Sequence, residues 1–412
     1  MDENDNKVPT IVITKIPYLH QNYFQWFLTG LYILEKNEQI SLKFRLKNPF
    51  RLMTVILKSE FICKVLFGIE YYIINLGIDK RDYNLEGYVV SESGKKYFCM
   101  DCSDAPYSFD SKLLEKVSIY FKMQCPIEFN PKGFNLTPNV VIPWCDRIFK
   151  TKRKCGKYIS GERAPCQNLF ENLHKVKPAM IGIRRLSWSN SHASLFNSYQ
   201  HNIQSQSNKS RGKAMCYFGS AAGPVTKCYS PEDGMPDYIN EAEIMKYYGG
   251  SLHHPNVKRM TVNNIMRCLG SEYDARLIHD GSSNFNNGIV NDDLIIPLEK
   301  FAEHVSKFEY NVNISGYRMS IPNRFIDSFM VGTAIFTDKL SVKWYLPFDN
   351  NEVIETVPMG YLPNEEVDWD KYKSDLISLP TVNRDEVLKL FNEKWAPDVF
   401  AKYVVDTLYE DK

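Results

Sequence analysis

Residues 309–348 read EYNVNISGYRMSIPNRFIDSFMVGTAIFTDKLSVKWYLPF, and the architecture expected of the whole chain starts from this run. Alternating apolar residues predict a strand at 310–314, a short helix at 323–331 and a second strand at 333–337. Pro322 followed by Asn323 is a good helix opening, because an asparagine side chain accepts from exposed N–H groups. Gly332 is the matching stop, since glycine enters the left-handed conformation that ends helices. Strand, loop, helix, glycine, strand is the repeating unit of α/β sheets.

Arg324 and Asp327 are three positions apart, so both side chains fall on one helix face near its start. A helix start carries partial positive charge and free N–H donors, which suit a diphosphate. A guanidinium adds a forked clamp, and a carboxylate accepts from the two hydroxyls of a ribose. The other reading of the pair is an ordinary surface ion pair worth about 0.2–0.5 kcal/mol.

The pattern extends outward on both sides. Thr10-Ile11-Val12-Ile13-Thr14 reads as a buried strand, and Tyr23, Trp26, Phe27 and Leu31 follow at helical spacing. Strand-like runs at 87–90, 97–100, 140–143 and 180–183, with a helix-forming segment at 111–121, predict a parallel α/β sheet. The polar run NSYQHNIQSQSNKSRGK at 197–213 predicts a linker. A strand then starts at Ala214 and runs into Gly219-Ser220-Ala221-Ala222-Gly223-Pro224, a small-residue turn that lets backbone approach a phosphate. A helix at 240–248, a strand at 275–279 and a helix at 298–308 continue the alternation, and 384–409 have helical spacing broken at Pro397. The expected division is an N-terminal domain at 1–196, a linker at 197–213, a C-terminal domain at 214–383 and a final helical segment at 384–412.

Composition narrows the class. A chain of 412 residues with 44% hydrophobic and 24% charged residues folds, and its length suits two domains. A net charge of +1 provides no global field for nucleic acid. Ten cysteines stand at irregular intervals and the opening MDENDNKVPT lacks a secretory pattern, so reduced thiols and a cytoplasmic location are expected. The most apolar window, 53–78, is interrupted by Lys58, Glu60, Lys64 and Glu70, too many charges for a membrane span.

The run from Pro322 to Ile335 resembles the exostosin-type GT-B glycosyltransferase signature, in which Arg-Phe-hydrophobic-Glu is followed, five positions after the acid, by Gly and a short strand. Here the acid is Asp327, one methylene shorter than glutamate, with Gly332 at the matching position. The resemblance implies two Rossmann-like domains facing across a cleft, with the last helix crossing back to the N-terminal domain. It implies metal-independent transfer of a sugar from a nucleotide diphosphate donor to a glycan or lipid-linked acceptor, in surface polysaccharide synthesis, with no cofactor beyond the donor. It also implies that Asp327 holds the donor ribose.

Glycosyl transfer needs positive charge at the leaving diphosphate and, in an inverting enzyme, a base for the acceptor hydroxyl. Arg324, Arg185, Arg259 and Lys258 are the candidate cations, with Asn323 and Gly219 completing the donor site; Lys258 and Arg259 also read as a solvated face. Asp101 and Asp104 follow a hydrophobic strand and are candidate bases, as is His20 after the first strand. Either acid also reads as a loop carboxylate capping the segment at Ser111. No metal is expected: Asp101 and Asp104 are one residue too far apart for Asp-x-Asp, His253 and His254 diverge, and Cys99-x-x-Cys102 has no second pair. The stretch Lys43-Phe44-Arg45-Leu46-Lys47-Asn48-Pro49-Phe50-Arg51 is basic and apolar, which suits peripheral contact with an anionic membrane, while a solvated strand edge is the alternative. Rival functions are a non-catalytic carbohydrate- or nucleotide-binding protein and a sugar-phosphate epimerase.

Overall fold

The computed structural model describes residues 8–17, 21–75, 83–91, 94–103, 106, 109–130, 133–137, 140–143, 169–183, 186–204, 213–221, 255–279, 296, 298–315, 320–357 and 367–410. It is a mixed α/β protein with two main sheets.

The first sheet begins with β1 (Thr10–Lys15), buried at Ile11, Val12 and Ile13, which pairs in parallel with β2 (Ser41–Phe44). Their crossover is α1 (Gln21–Lys36), whose Phe24, Phe27, Leu28 and Leu31 recur at helical spacing and are all buried. Two helices follow, α2 (Pro49–Ile56) and α3 (Glu60–Asn75); Asn48 caps α2 by accepting from the Phe50 and Arg51 N–H groups. The chain continues through β3 (Asn84–Ser91), β4 (Gly94–Asp101), α4 (Ser111–Lys116) and β5 (Ile119–Lys122). After β6 (Cys125–Pro126) comes a separate antiparallel group of β7 (Glu128–Asn130), β8 (Gly133–Thr137) and β9 (Val140–Pro143). The sheet is completed by β10 (Val176–Pro178), giving the order β10-β5-β4-β3-β1-β2.

This half departs from the parallel sheet expected of it. β3 runs antiparallel to both β1 and β4, while the other neighbouring pairs are parallel. The reason is connection length: two residues separate Ser91 from Gly94, enough for a hairpin and far short of the dozen or so that a parallel crossover needs. The run at 140–143 is a strand outside this sheet, and 180–183 is irregular chain just beyond β10.

The expected linker also changes character. α5 (His192–Gln204) covers its first half and buries Leu195 and Tyr199, one helical turn apart; Tyr199 meets Trp26 edge-on at 5.5 Å. The expected helix at 240–248 lies outside the described residues.

The second sheet is built from β11 (Lys213–Ala221), α6 (Pro255–Leu269), β12 (Tyr273–His279), α7 (Leu298–Val305), β13 (Phe308–Asn313), α8 (Arg324–Phe329) and β14 (Ala334–Thr337). β16 (Val353–Glu355) is its last strand, while the short β15 (Val342–Lys343) pairs with β6 and ties the two halves together. The order is β12-β11-β13-β14-β16 and every pairing is parallel. The chain thus steps from β11 to one edge, then crosses to β13 and builds the other side, so its direction of winding reverses between β11 and β13. The expected strand-helix-strand unit is present, with a helix of six residues instead of nine. Gly332 follows at φ 72°, the left-handed conformation that a side chain resists.

The C-terminal segment runs through α9 (Trp369–Ile377), α10 (Arg384–Leu390), a π turn at Phe391–Trp395 and α11 (Pro397–Glu410). α11 packs against α1 of the first half. Phe27 meets Phe400 at 5.8 Å, the Trp26 Nε1 donates to the Trp395 carbonyl at 2.9 Å, and the Tyr403 hydroxyl donates to the Pro178 carbonyl at 2.9 Å. The closest approach is at Gly30, where a Cβ would lie 1.9 Å from the Pro397 carbonyl oxygen. Gly30→Ala is therefore expected to lift α11 off α1 and destabilise the fold by about 1–3 kcal/mol, read as a lower midpoint in urea.

Candidate functional site

In open parallel sheets, ligands bind beyond the carboxyl ends of the strands where winding reverses. In the second sheet that place is the gap between the ends of β11 and β13, flanked by the ends of β14 and the first turns of α6 and α8.

Each of these elements brings a polar group. Asn313, at the end of β13, donates to the Thr337 hydroxyl at 2.9 Å. Asp338, one residue beyond β14, accepts from the Ser315 N–H at 3.0 Å, the Ser315 hydroxyl at 2.9 Å and the Thr337 hydroxyl at 3.1 Å. Burial raises the Asp338 pKa, while these hydrogen bonds and the Lys258 charge pull it back. Lys258 and Arg259 come from the first turn of α6, Lys258 fully buried and Arg259 half-buried.

Arg324 opens α8 and donates from its guanidinium to the Phe218 carbonyl at 3.1 Å, which ties the helix to the end of β11. Burial, and then the neighbouring Arg259 charge, push its pKa down to about 10, still protonated at neutral pH. Asp327, half-buried in the same short helix, lies within electrostatic reach of that guanidinium.

Two phenols complete the cluster. Tyr217 in β11 and Tyr372 in α9 are both fully buried, and neither hydroxyl has a hydrogen-bond partner among the described residues. Burial pushes the Tyr217 pKa up to about 12 against the pull of Arg259 and Arg324, so the phenol keeps its proton and is a donor with no acceptor among the described residues. Burial also raises the Tyr372 pKa, with Tyr217 and Asp338 nearby adding to the rise. An unsatisfied buried hydroxyl is uncommon and calls for an explanation.

Other anticipated residues have different roles. Gly219 lacks a side chain because the Tyr217 ring lies over it: a Cβ there would meet the Tyr217 hydroxyl at 2.7 Å. Its space is filled by protein, so on that face it does not open the backbone to a phosphate. Asn323 has helical backbone angles and makes no capping bond; its amide instead donates to the Gly182 carbonyl, a buried acceptor in the first half. Just before it, Gln124 exchanges two bonds with the Ile321 backbone, each 2.9 Å. Gln124 follows β5 and Gly182 follows β10, so the carboxyl ends of first-sheet strands meet the entry to α8.

Asp101 ends β4 as expected, yet it is fully buried. It accepts from the Tyr120 hydroxyl at 2.6 Å, the Lys122 ammonium at 3.1 Å and the Ser103 N–H at 2.7 Å. Enclosed in this way it is a structural anchor, and a substrate hydroxyl does not reach it in this arrangement. Asp104, His20, Arg185 and His253-His254 lie outside the described residues. Cys99 and Cys102 are both buried. No helix among the described residues is long and apolar enough to cross a membrane.

The site therefore gathers Arg324, Asp327, Arg259 and Lys258 from the sequence reading and adds Tyr217, Tyr372 and Asp338. Compared with known proteins, the chain matches no protein-family model and no curated protein.

Two measurements test this geometry. Tyr217→Phe removes the unsatisfied hydroxyl at unchanged shape, so the ligand-free protein is expected to gain about 1 kcal/mol of stability in denaturant titration. Asp338 favours its proton more when folded than when unfolded, so its contribution is fullest below the unfolded pKa, about 3.9, and is lost as pH rises through the higher folded value. Asp338→Asn is accordingly expected to flatten that decline when unfolding free energies are compared at successive pH values from acid to neutral.

Proposed function

We propose that this protein is a glycosyltransferase that takes a sugar from a nucleotide diphosphate donor, with the donor held at the winding reversal of the second sheet. The observation that carries the reading is the cluster itself: three cationic side chains and two phenol hydroxyls without a partner among the described residues converge where an all-parallel sheet receives ligands. Arginines and lysine match the charge of a diphosphate, phenols donate to its oxygens, and Asp327 accepts from the ribose hydroxyls. In this mechanism the cations stabilise the charge that develops on the departing diphosphate, so the step requires no metal.

The GT-B arrangement of two Rossmann-like halves is part of the proposal. It is supported by the all-parallel second sheet, by the strand ends of the first sheet meeting the start of α8, and by the return of α11 to α1. The acceptor, a glycan or a lipid-linked sugar, would enter from the first half. Surface polysaccharide synthesis is the setting that the sequence resemblance implies, and the cysteine usage suggests the cytoplasm as its compartment.

One observation favours the rival reading of a non-catalytic nucleotide- or carbohydrate-binding protein: Asp101, the one candidate base among the described residues, is enclosed. Release of free nucleotide from a nucleotide sugar separates the two. Calorimetry with nucleoside diphosphates is expected to detect binding, and Arg324→Ala to weaken it about 10- to 100-fold by loss of a charge-assisted hydrogen bond. Absence of binding by every nucleoside diphosphate would overturn the assignment.

A further inference from the structure

Seven of the exposed large hydrophobics among the described residues lie on the outer face of α2 and α3. Ile56 is 64% exposed, Phe61 75% and Tyr72 67%, and Met53, Ile62, Val65 and Ile69 are exposed beside them. Phe61, Val65, Ile69 and Tyr72 follow one another at three- and four-residue steps, so they form a single stripe along α3. A contiguous apolar face of this kind marks a surface that something covers.

The charges around the face say what. Residues 41–75 hold six basic side chains and two acidic ones. Both acids accept hydrogen bonds within the chain, Glu60 at an exposed position and Glu70 at a buried one. Glu60 accepts from the Ser187 hydroxyl and, at 2.7 Å, from the Trp188 N–H, while buried Glu70 pairs with Arg51 and accepts from Asn48 at 2.9 Å. Five basic residues stay on the outside: Lys43, Arg45, Lys47, Lys58 and Lys64. Arg51, the sixth, is buried in the pair that braces α2 against α3.

We infer that this face docks on an anionic lipid bilayer. The apolar stripe enters the boundary between headgroups and acyl chains, and the long lysine stems carry their charges to the anionic headgroups. A protein surface of matching shape would have to be both apolar and acidic, whereas an anionic bilayer supplies both properties everywhere. α3 has sixteen residues, about 24 Å of helix, and rests in the plane of the surface. The inference stands apart from the proposed transferase activity.

Sedimentation of the full chain with phosphatidylcholine vesicles, with and without about one-third phosphatidylglycerol, tests it. The expected result is binding to the anionic vesicles only, weakened by salt. The combined variant Ile56→Ser, Phe61→Ser and Val65→Ser is expected to lower vesicle affinity at least tenfold with the melting temperature retained, since these side chains are exposed. Charge reversal at Lys43, Lys47 and Lys64 to Glu is expected to do the same without altering the apolar stripe. Failure to sediment with anionic vesicles at low salt overturns the inference. So does light scattering that shows a dimer which the serine variant dissolves, because the face then belongs to a second copy of the chain.

Discussion

Trp395 is the contact on which the rest of the molecule depends. It ends a π turn, is fully buried, and meets Phe329, Trp344, Tyr345 and Phe348 of the second half. Its indole N–H donates to Glu352 at 3.0 Å, and its carbonyl receives the Trp26 indole of the first half. A ring of this size cannot be exchanged for a smaller one without leaving a void, and both of its polar ends are tied to different elements. Pro397 then starts the last helix along α1. One residue thus fixes the core around α8, the return of the chain and the spacing of the two sheets.

What the sequence made legible depended on how local the signal was. The unit around Arg324 was readable because strand, helix and glycine stop all lie within one short stretch, and Gly332 has a conformation that only glycine adopts without strain. Pro397 likewise marked a real boundary between helical segments. The reversed strand β3 was missed because apolar alternation gives a strand its faces and says nothing of its direction. Only the short interval between the two runs carried that information. The helix at the start of the polar run after Asn197 was hidden for the opposite reason: two inward-facing residues, Leu195 and Tyr199, hold a helix that is polar elsewhere.

The site was half legible. Charges stand out in a sequence, so Arg324, Asp327, Lys258 and Arg259 of the candidate site could be named from it. Tyr217 was read as one more apolar residue of a strand, although its spacing of two from Gly219 puts both on one face and explains the glycine. Asp338 sits one residue past a strand end, the position from which ligand-facing groups come in such sheets. Asn323 and Asp101 have the right residue types in the right places, but distant partners, Gly182 and Lys122, claim their polar atoms. Competition of that sort appears only once the chain is folded.

The bonds between Gln124 and Ile321 are one-sided in a telling way. The amide of Gln124 is the sole side chain in them, and the other participant offers only main-chain atoms. On the Ile321 side the seam is therefore indifferent to which residue occurs there, provided the backbone keeps its shape. On the Gln124 side it tolerates almost nothing, because few side chains present a donor and an acceptor together. Mutational drift across this junction should be lopsided, with one position held fast and its counterpart free to vary.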